Sequence, residues 1–397
     1  MPRATSDRKL SKPNARRSQN TDTVLDVLRT HGPSSQANIA RKAGLSAATV
    51  NTIIRQLQDA GIVEMKPING REGVITLTTG SGTFVVVEIG NERMQGIAYS
   101  FESQTTATQS EEGHSDPASL GSLLEVLAGK YGKKVSQLDG IVLAFQAPLE
   151  TITHSIAKWC NLRMPGWANV DLQEYVAREF PGQTVLVEND SNLAALAEWT
   201  WGAGRGCDDF LYVRTAEGVG GGIIIGGNIY HGGNGMAGDL GHVALEGSGE
   251  VCYCGSRGCL TQLISRGKLL EAVRDLPGKR TTIEEVISAA GNGDAASARV
   301  LSEAGNYLGR ALSNVAKILA PSVVAIGGDL GMASDFVFGS LFSSIEVSNI
   351  RAGSALINIV PGQIGGHVAK LGGLAAILSR KGKGVSELPE WIQSTAF

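Results

Sequence analysis

Residues 210–225, Phe-Leu-Tyr-Val-Arg-Thr-Ala-Glu-Gly-Val-Gly-Gly-Gly-Ile-Ile-Ile, read as a hydrophobic strand, a glycine-rich turn around Gly218–Gly222 and a second strand. A similar strand, Phe84-Val85-Val86-Val87-Glu88-Ile89-Gly90, begins 126 residues earlier. Two strand-turn-strand units half a body apart predict a duplicated α/β domain, two lobes with a cleft between them. Around them, buried-strand candidates (Ile141–Leu143, Val185–Val187, Val323–Ile326) alternate with helical stretches at 120–131, 172–180, 192–202 and 295–319. That alternation predicts largely parallel sheets covered by helices. We place the first lobe at 81–205 and the second at 206–397, with a C-terminal helix able to pack back on the first.

Before Gly80 the period is different. Val24, Leu25, Val27 and Leu28 form one apolar stripe, stopped at His31-Gly32-Pro33. Ser34 or Ser35 caps a second helix that ends at Gly44, and Ser46 caps a third whose buried face is Val50, Ile53, Ile54 and Leu57. Two short strands follow, joined by a turn containing Asn69-Gly70. Three helices and a hairpin over 21–80 predict a winged helix-turn-helix. In that motif the start of the second motif helix faces base edges, which here offers Ser46, Ala47, Thr49 and Asn51. Arg55 and Arg41 reach toward phosphate, and Arg71 at the wing tip toward a minor groove. A three-helix protein-interaction module without DNA is the alternative.

Charge separates head from body. The 35 Lys/Arg and 38 Asp/Glu give a net charge of −3, but residues 1–80 hold 12 basic against 6 acidic side chains. Residues 1–20, with Arg16 and Arg17 among six basic residues, read as a flexible basic arm. A basic head on an acidic body favours a polyanion partner for the head, operator DNA on the helix-turn-helix reading. With 42% hydrophobic residues and 52 glycines, collagen-like and wholly disordered classes are excluded. The sequence shows neither a membrane-spanning apolar run nor a signal-peptide core, which predicts a cytoplasmic protein. A helix-turn-helix reads one half-site, so a homodimer or homotetramer on a palindrome is expected.

Cys252-Tyr-Cys254-Gly-Ser-Arg-Gly-Cys259 supplies three thiolates within eight residues, and His242 lies ten positions upstream. Zn²⁺ takes four tetrahedral S/N ligands, and a closed Cys₃His set leaves no open position, so such a zinc is structural. Free buried thiols or a redox pair are the competing readings, although a Cys-x-Cys disulfide closes an unfavourable ring.

Gly235-Met-Ala-Gly-Asp-Leu-Gly-His242 followed by this cysteine cluster resembles the paired signature of the ROK family of sugar kinases and sugar-responsive repressors. Val187-Glu-Asn-Asp190-Ser-Asn192 and Pro165-Gly-Trp167-x-Asn169-Val170 are similar to its sugar-site segments, and the likeness runs from about Thr21 to about Ala376. It implies an actin-like (ribonuclease H-like, duplicated) sugar-kinase-type body with sugar in the cleft beside the zinc loop. The fused head resembles the repressor branch, which includes xylose and N-acetylglucosamine repressors. The implied ligand set for a sugar or sugar-phosphate effector is Asn189, Asp190, Asp239, His242 and Thr261, with Asp190 at the place of the kinase base. Asp239 and Thr261 stand where the family usually has Glu, and Ala144-Phe145-Gln146-Ala147-Pro148 replaces its usual Pro-Gly turn.

The nucleotide side departs further from the kinases. Their first phosphate loop, Asp-x-Gly-Gly-Thr-Lys, is here Glu88-Ile89-Gly90-Asn91-Glu92-Arg93, and their Gly-Thr-Gly-x-Gly is Ala216-Glu217-Gly218-Val219-Gly220. Like charges ~4 Å apart cost about 4 kcal/mol at an effective dielectric of ~20, so Glu92 and Glu217 are expected to oppose a polyphosphate. The resulting expectation is a repressor of carbohydrate-metabolism genes without kinase activity. The alternatives are an active kinase with a fused head, or a constitutive repressor. His231 reads as a surface-loop residue, with lining of the cleft as the alternative, and Trp159, Trp167, Trp199 and Trp201 read as core, with stacking on a sugar face as the alternative.

Overall fold

The computed structural model describes residues 20–21, 23–28, 31–59, 62–68, 72–77, 81–113, 115–278, 280–349, 358–381 and 387–396. The basic arm with Arg16 and Arg17, and the wing tip Asn69-Gly70-Arg71, lie outside them. Two compact units divide the chain, one up to Gly80 and one running from Ser81 to Arg380, joined by the chain's last ten residues.

In the first unit residues 23–28 are helical (α1), followed by α2 (Gln36–Ala43) and α3 (Ala47–Asp59). The Ser35 hydroxyl accepts from Asn38 N at 3.3 Å to start α2, and Gly44 ends it at φ 63°, a conformation glycine adopts without a Cβ penalty. Ser46 Oγ accepts from Thr49 N at 3.1 Å and starts α3. Strands β1 (Val63–Ile68) and β2 (Glu72–Leu77) pair antiparallel, and Ser34 exchanges two backbone hydrogen bonds with Ile75 to extend the ribbon. Val24, Leu28, Ile39, Val50, Ile54, Leu57, Val63 and Ile75 close one core of the unit's own.

The second unit holds two five-stranded sheets of the same order. One is β5-β4-β3-β6-β9, from β3 (Thr83–Ile89), β4 (Arg93–Ser100), β5 (Thr105–Glu112), β6 (Gly140–Phe145) and β9 (Val185–Asn189). The other is β12-β11-β10-β13-β14, from β10 (Phe210–Thr215), β11 (Val219–Ile225), β12 (Asn228–Ile229), β13 (Val323–Gly328) and β14 (Asn358–Pro361). A small ribbon pairs β7 (Leu149–Glu150) with β8 (Ser155–Ile156), and Thr151 beyond β7 donates its N–H to Asn234 O of the second lobe. The repeat in order bears out the duplication. The expectation of largely parallel sheets is corrected, because in each sheet the first three strands form an antiparallel meander and only the last two pairings are parallel. Three-residue links such as 90–92 and 216–218 allow hairpins, whereas parallel neighbours need crossovers of a dozen residues or more.

The helices α4 (Pro117–Gly129) and α5 (Leu172–Glu179) cover the outer face of the first sheet. On the second, α7 (Thr261–Ile264), α8 (Arg266–Val273), α9 (Ile283–Gly291), α10 (Ala295–Leu319), α11 (Asp329–Met332) and α12 (Ser334–Asn349) share one core. Between the sheets lies α6 (Asp190–Trp201), buried along nearly its whole length. Against it packs α13 (Val368–Arg380), which also covers β3 and β6 of the first lobe, and α14 (Glu390–Ala396) ends the chain.

Of the glycines read as a turn, Gly218 lies in the hairpin link and the other three are strand residues. Gly220, Gly221 and Gly222 lie within β11, and a Cβ on Gly220 or Gly222 would collide with Ser191 or Ala195 of α6. Glycine there lets the first turn of α6 lie on the strand, which brings Asp190 to the second lobe.

Candidate functional site

A cleft between the lobes is lined from the first by Gln146–Pro148, Trp159, Cys160, Arg163 and Met164, and at the start of α6 by Asn189–Asn192. The second lobe contributes Arg214, Ala216–Gly221, Gly235–Asp239, His242 and Tyr253. Asn189 caps α6: its Oδ1 accepts from Ser191 N and Asn192 N, and its Nδ2 donates to Ala147 O at 3.0 Å. This amide fixes the helix start at the cleft floor.

Asp190, the next residue, is buried and accepts from Arg214 of β10. The same guanidinium donates to Glu88 Oε1 at 2.8 Å, and Lys370 of α13 donates to Glu88 Oε2 at 2.7 Å. Four buried charges, two of each sign, thus join strands of both sheets with α6 and α13. Burial alone would raise Glu88, but Arg214 and Lys370 outweigh it and hold the carboxyl well below its ordinary range. Burial pushes Asp190 up to about 6; Arg214 draws it down and Glu88 adds to the rise.

His242, Cys252, Cys254 and Cys259 offer ligand atoms all within 4.8 Å of one another. His242 Nδ1 lies 3.4 Å from Cys252 Sγ, and Cys254 Sγ lies 3.7 Å from Cys259 Sγ. Tetrahedral bonds of about 2.3 Å place sulfurs about 3.8 Å apart, so the spacing fits a four-coordinate metal ion. Burial, then Arg163, lowers His242 to about 4 and keeps it neutral, the form in which imidazole binds metal. Its Nε2 lies 3.1 Å from the Tyr253 hydroxyl, which accepts from Arg163 at 2.9 Å, and Trp159 packs edge-on against the ring. Asp239 faces the same space, pushed up to about 6 by burial.

Of the residues read as ligands, Asn189, Asp190, Asp239 and His242 converge on this cleft. Thr261 does not: it is buried behind Gly218 and lies off the cleft lining. Glu92 is exposed and also away from the lining. Glu217 does line it, but Arg266 neutralises it at 2.7 Å while forking onto Asp329. The like-charge argument therefore fails for Glu92 and weakens for Glu217, while Arg214 pairs directly with Asp190. Sequence reading missed it, although a charged residue inside the apolar strand Phe210–Thr215 was a usable signal. Arg163 and Tyr253 were missed as well, and no spacing rule points to them.

Trp167 and Trp199 are core residues, whereas Trp159 lines the cleft. His231 is half exposed yet donates from Nε2 to Glu188 Oε2 at 2.7 Å, tying the loop after β12 to β9 across the lobes. In the first unit, Ser46, Ala47, Asn51 and Arg55 share the exposed face of α3, with Thr49 half-buried beside Ser46. Ala48, Thr52 and Gln56 extend that face. Arg41 is exposed and donates to Asn38 at 2.7 Å.

A winged helix-turn-helix joined to a duplicated two-lobed body with a Cys₃His cluster at its cleft defines a sugar-kinase-like fold carrying a DNA-binding head. The chain belongs to the ROK family, whose model matches residues 84–380, and residues 21–64 match a winged helix-turn-helix DNA-binding model. It is 26% identical to the DNA-binding transcriptional dual regulator NagC of Escherichia coli K12 over 380 residues, 90% of this chain and 92% of that protein. A glucokinase of Halalkalibacterium halodurans is 36% identical over 225 residues, 53% of this chain and 66% of the enzyme. The crystal structure of a ROK family transcriptional regulator, a homologue of the E. coli MLC protein, superposes with a TM-score of 0.70 at 20% identity, covering 92% of this chain and 96% of that one. No helix among the described residues is long and apolar enough to cross a membrane.

Proposed function

We propose that this protein is a cytoplasmic transcriptional regulator, most simply a repressor of carbohydrate-metabolism genes, that senses a sugar or sugar derivative in its cleft and has lost kinase activity. The observation that carries the reading is one chain in which a winged helix-turn-helix precedes the ROK body, with a likeness to NagC that covers 90% of this chain where the likeness to the glucokinase covers 53%. The exposed face of α3 is the surface for operator DNA, with Ser46, Ala47, Thr49 and Asn51 toward bases and Arg55 toward phosphate. Because each head reads one half-site, the working form is a homodimer or homotetramer.

Asp190, Asp239 and His242 supply acceptors and donors for sugar hydroxyls, and Asn189 positions the helix that presents Asp190. Zn²⁺ held by His242, Cys252, Cys254 and Cys259 would be structural, since four protein ligands fill the tetrahedron, and it would fix the imidazole beside the sugar. A general base must be free to accept the attacking hydroxyl's proton, but Asp190 is bonded to Arg214. That pairing supports the loss of phosphoryl transfer.

The test is fluorescence anisotropy of an operator complex titrated with a sugar panel, beside a coupled assay for ADP release. Regulation predicts sugar-dependent operator affinity without ADP. Steady ADP release with any hexose, abolished in Asp190→Asn, would instead make it a kinase. Operator binding that no sugar shifts would make it a constitutive repressor.

A further inference from the structure

The segment between β12 and Asp239 belongs to the second lobe, yet its tip lies on the first. Ala237 N donates to His231 O at 3.1 Å, which closes residues 231–237 into a compact loop, and Asn234 Oδ1 accepts from Met236 N at 3.3 Å to turn its tip. Four contacts seat the loop. Asn234 O accepts from Thr151 N at 3.2 Å. Gly235 is buried at φ 84°, so near the β7–β8 ribbon that a Cβ would collide with Leu149 O. Met236 packs, as Leu149 does, against the hydrophobic core of the first lobe. His231 Nε2 meets Glu188 Oε2 at 2.7 Å, and the other oxygen of Glu188 accepts from Asn189 N at 2.8 Å and Asn192 Nδ2 at 3.0 Å.

The lobes are also joined by Arg214, Asp190, Glu88 and Lys370, whose side chains are at most 15% exposed, and by the hydrogen bond of Arg163 to Tyr253. His231, by contrast, is 45% exposed, and Asn234 is exposed as well. Local opening begins where contacts face water, so the lobes part from the side of this loop rather than through the buried charges. The loop is also free to move without the residues that follow it. Gly221 N of β11 donates to Gly238 O at 2.8 Å, which pins the chain to the second lobe between the loop and Asp239.

We propose that residues 231–236 are a strap that buckles the second lobe to the first across the cleft. The cleft opens when Met236 withdraws from the first lobe's core and His231 parts from Glu188, while Gly238 holds Asp239 and His242 in place. The strap is a property of the protein by itself and does not depend on which molecule the cleft takes.

The experiment is residue-resolved hydrogen exchange on the full-length protein without ligand. It is read at Thr151 N–H, whose acceptor is on the strap, and at Ala157 N–H, which donates to Pro148 O within the first lobe. Labelling by N-ethylmaleimide, located by mass spectrometry, is followed in parallel at Cys160, which is buried in the cleft wall. In Met236→Ala and Gly235→Ala, Thr151 exchange and Cys160 labelling are both expected to rise about 10-fold or more, with Ala157 exchange unchanged. Ile152→Ala, beside Thr151 but 80% exposed and off the strap, is expected to leave all three rates alone. Faster Thr151 exchange with Cys160 still protected would mean that the loop moves without the lobes, and the proposal falls. It falls as well if neither rate changes, or if Ile152→Ala raises both. Should Ala157 exchange rise too, the first lobe has loosened as a whole and His231→Ala, which leaves its core untouched, decides. Faster Thr151 exchange and Cys160 labelling in that variant with Ala157 unchanged upholds the strap, and any other pattern overturns it.

Discussion

Arg214 places a fixed positive charge where two carboxylates meet under the cleft floor, and the chain folds around that choice. Asp190 and Glu88 come from helix and strand, and without a cation between them two buried like charges would face each other. Removing one partner of a buried ion set costs about 3–5 kcal/mol, because the remainder keeps its desolvation penalty without the attraction. Arg214→Met is therefore expected to lower unfolding free energy by about that amount, measured from denaturant midpoints at unchanged slope. Asp190→Asn should cost less, because Glu88 still matches the guanidinium and Lys370 still matches Glu88. Equal losses from the two variants would contradict the arrangement. The four convergent ligand residues were legible as single letters within signature segments. Arg163 and Arg214 were not, since each gains its meaning from a partner 90 or more residues away.

At the level of elements, the strands, the head's caps and the duplicated order could be read from period and turn chemistry. What joins the lobes could not. Glu198 of α6 is fully buried; its Oε2 accepts from Ala203 N at 2.9 Å and its Oε1 from Ile364 N at 2.8 Å. It thereby clasps both chain crossings between the sheets, yet a Glu on a helical stretch reads as solvated surface. His231, read as a surface-loop residue, closes the outer side of the cleft onto Glu188. The hydrogen bond to Glu188 raises the imidazole above its ordinary value, with burial opposing. A His raised in the folded state contributes stability in full below its unfolded pKa, and loses it as pH rises through the folded value. The expected result is a wild type more heat-stable than His231→Gln near pH 6, with the gap closing as pH rises beyond about 6.5. A gap that stays constant across that range would show that protonation plays no part in this link.

For the whole molecule, head and body each carry a separate hydrophobic core, so loss of order in one need not unfold the other. That separation makes the metal cluster a test of how sensing and DNA binding divide. The loop from Asp239 to Cys259 has little regular structure, a 3₁₀ turn and isolated bridges such as Ala244 with Cys259. Its geometry therefore depends on the four ligand side chains, and in such sites metal-binding energy is folding energy. On the proposal that this cluster holds zinc, Cys254→Ser should lose the metal and loosen both His242 and Tyr253, which stand on that loop at the cleft. The α3 face, with Asn51 and Arg55, belongs to the other core and should keep its shape. The expected outcome is loss of zinc by elemental analysis and loss of any sugar-dependent change in operator affinity, with operator affinity in the absence of sugar retained within about 3-fold, or 0.7 kcal/mol. A metal-free variant that still responds to sugar would separate the cluster from the sensing cleft. One that no longer binds operator at all would mean that the body's order is needed for the head to engage DNA.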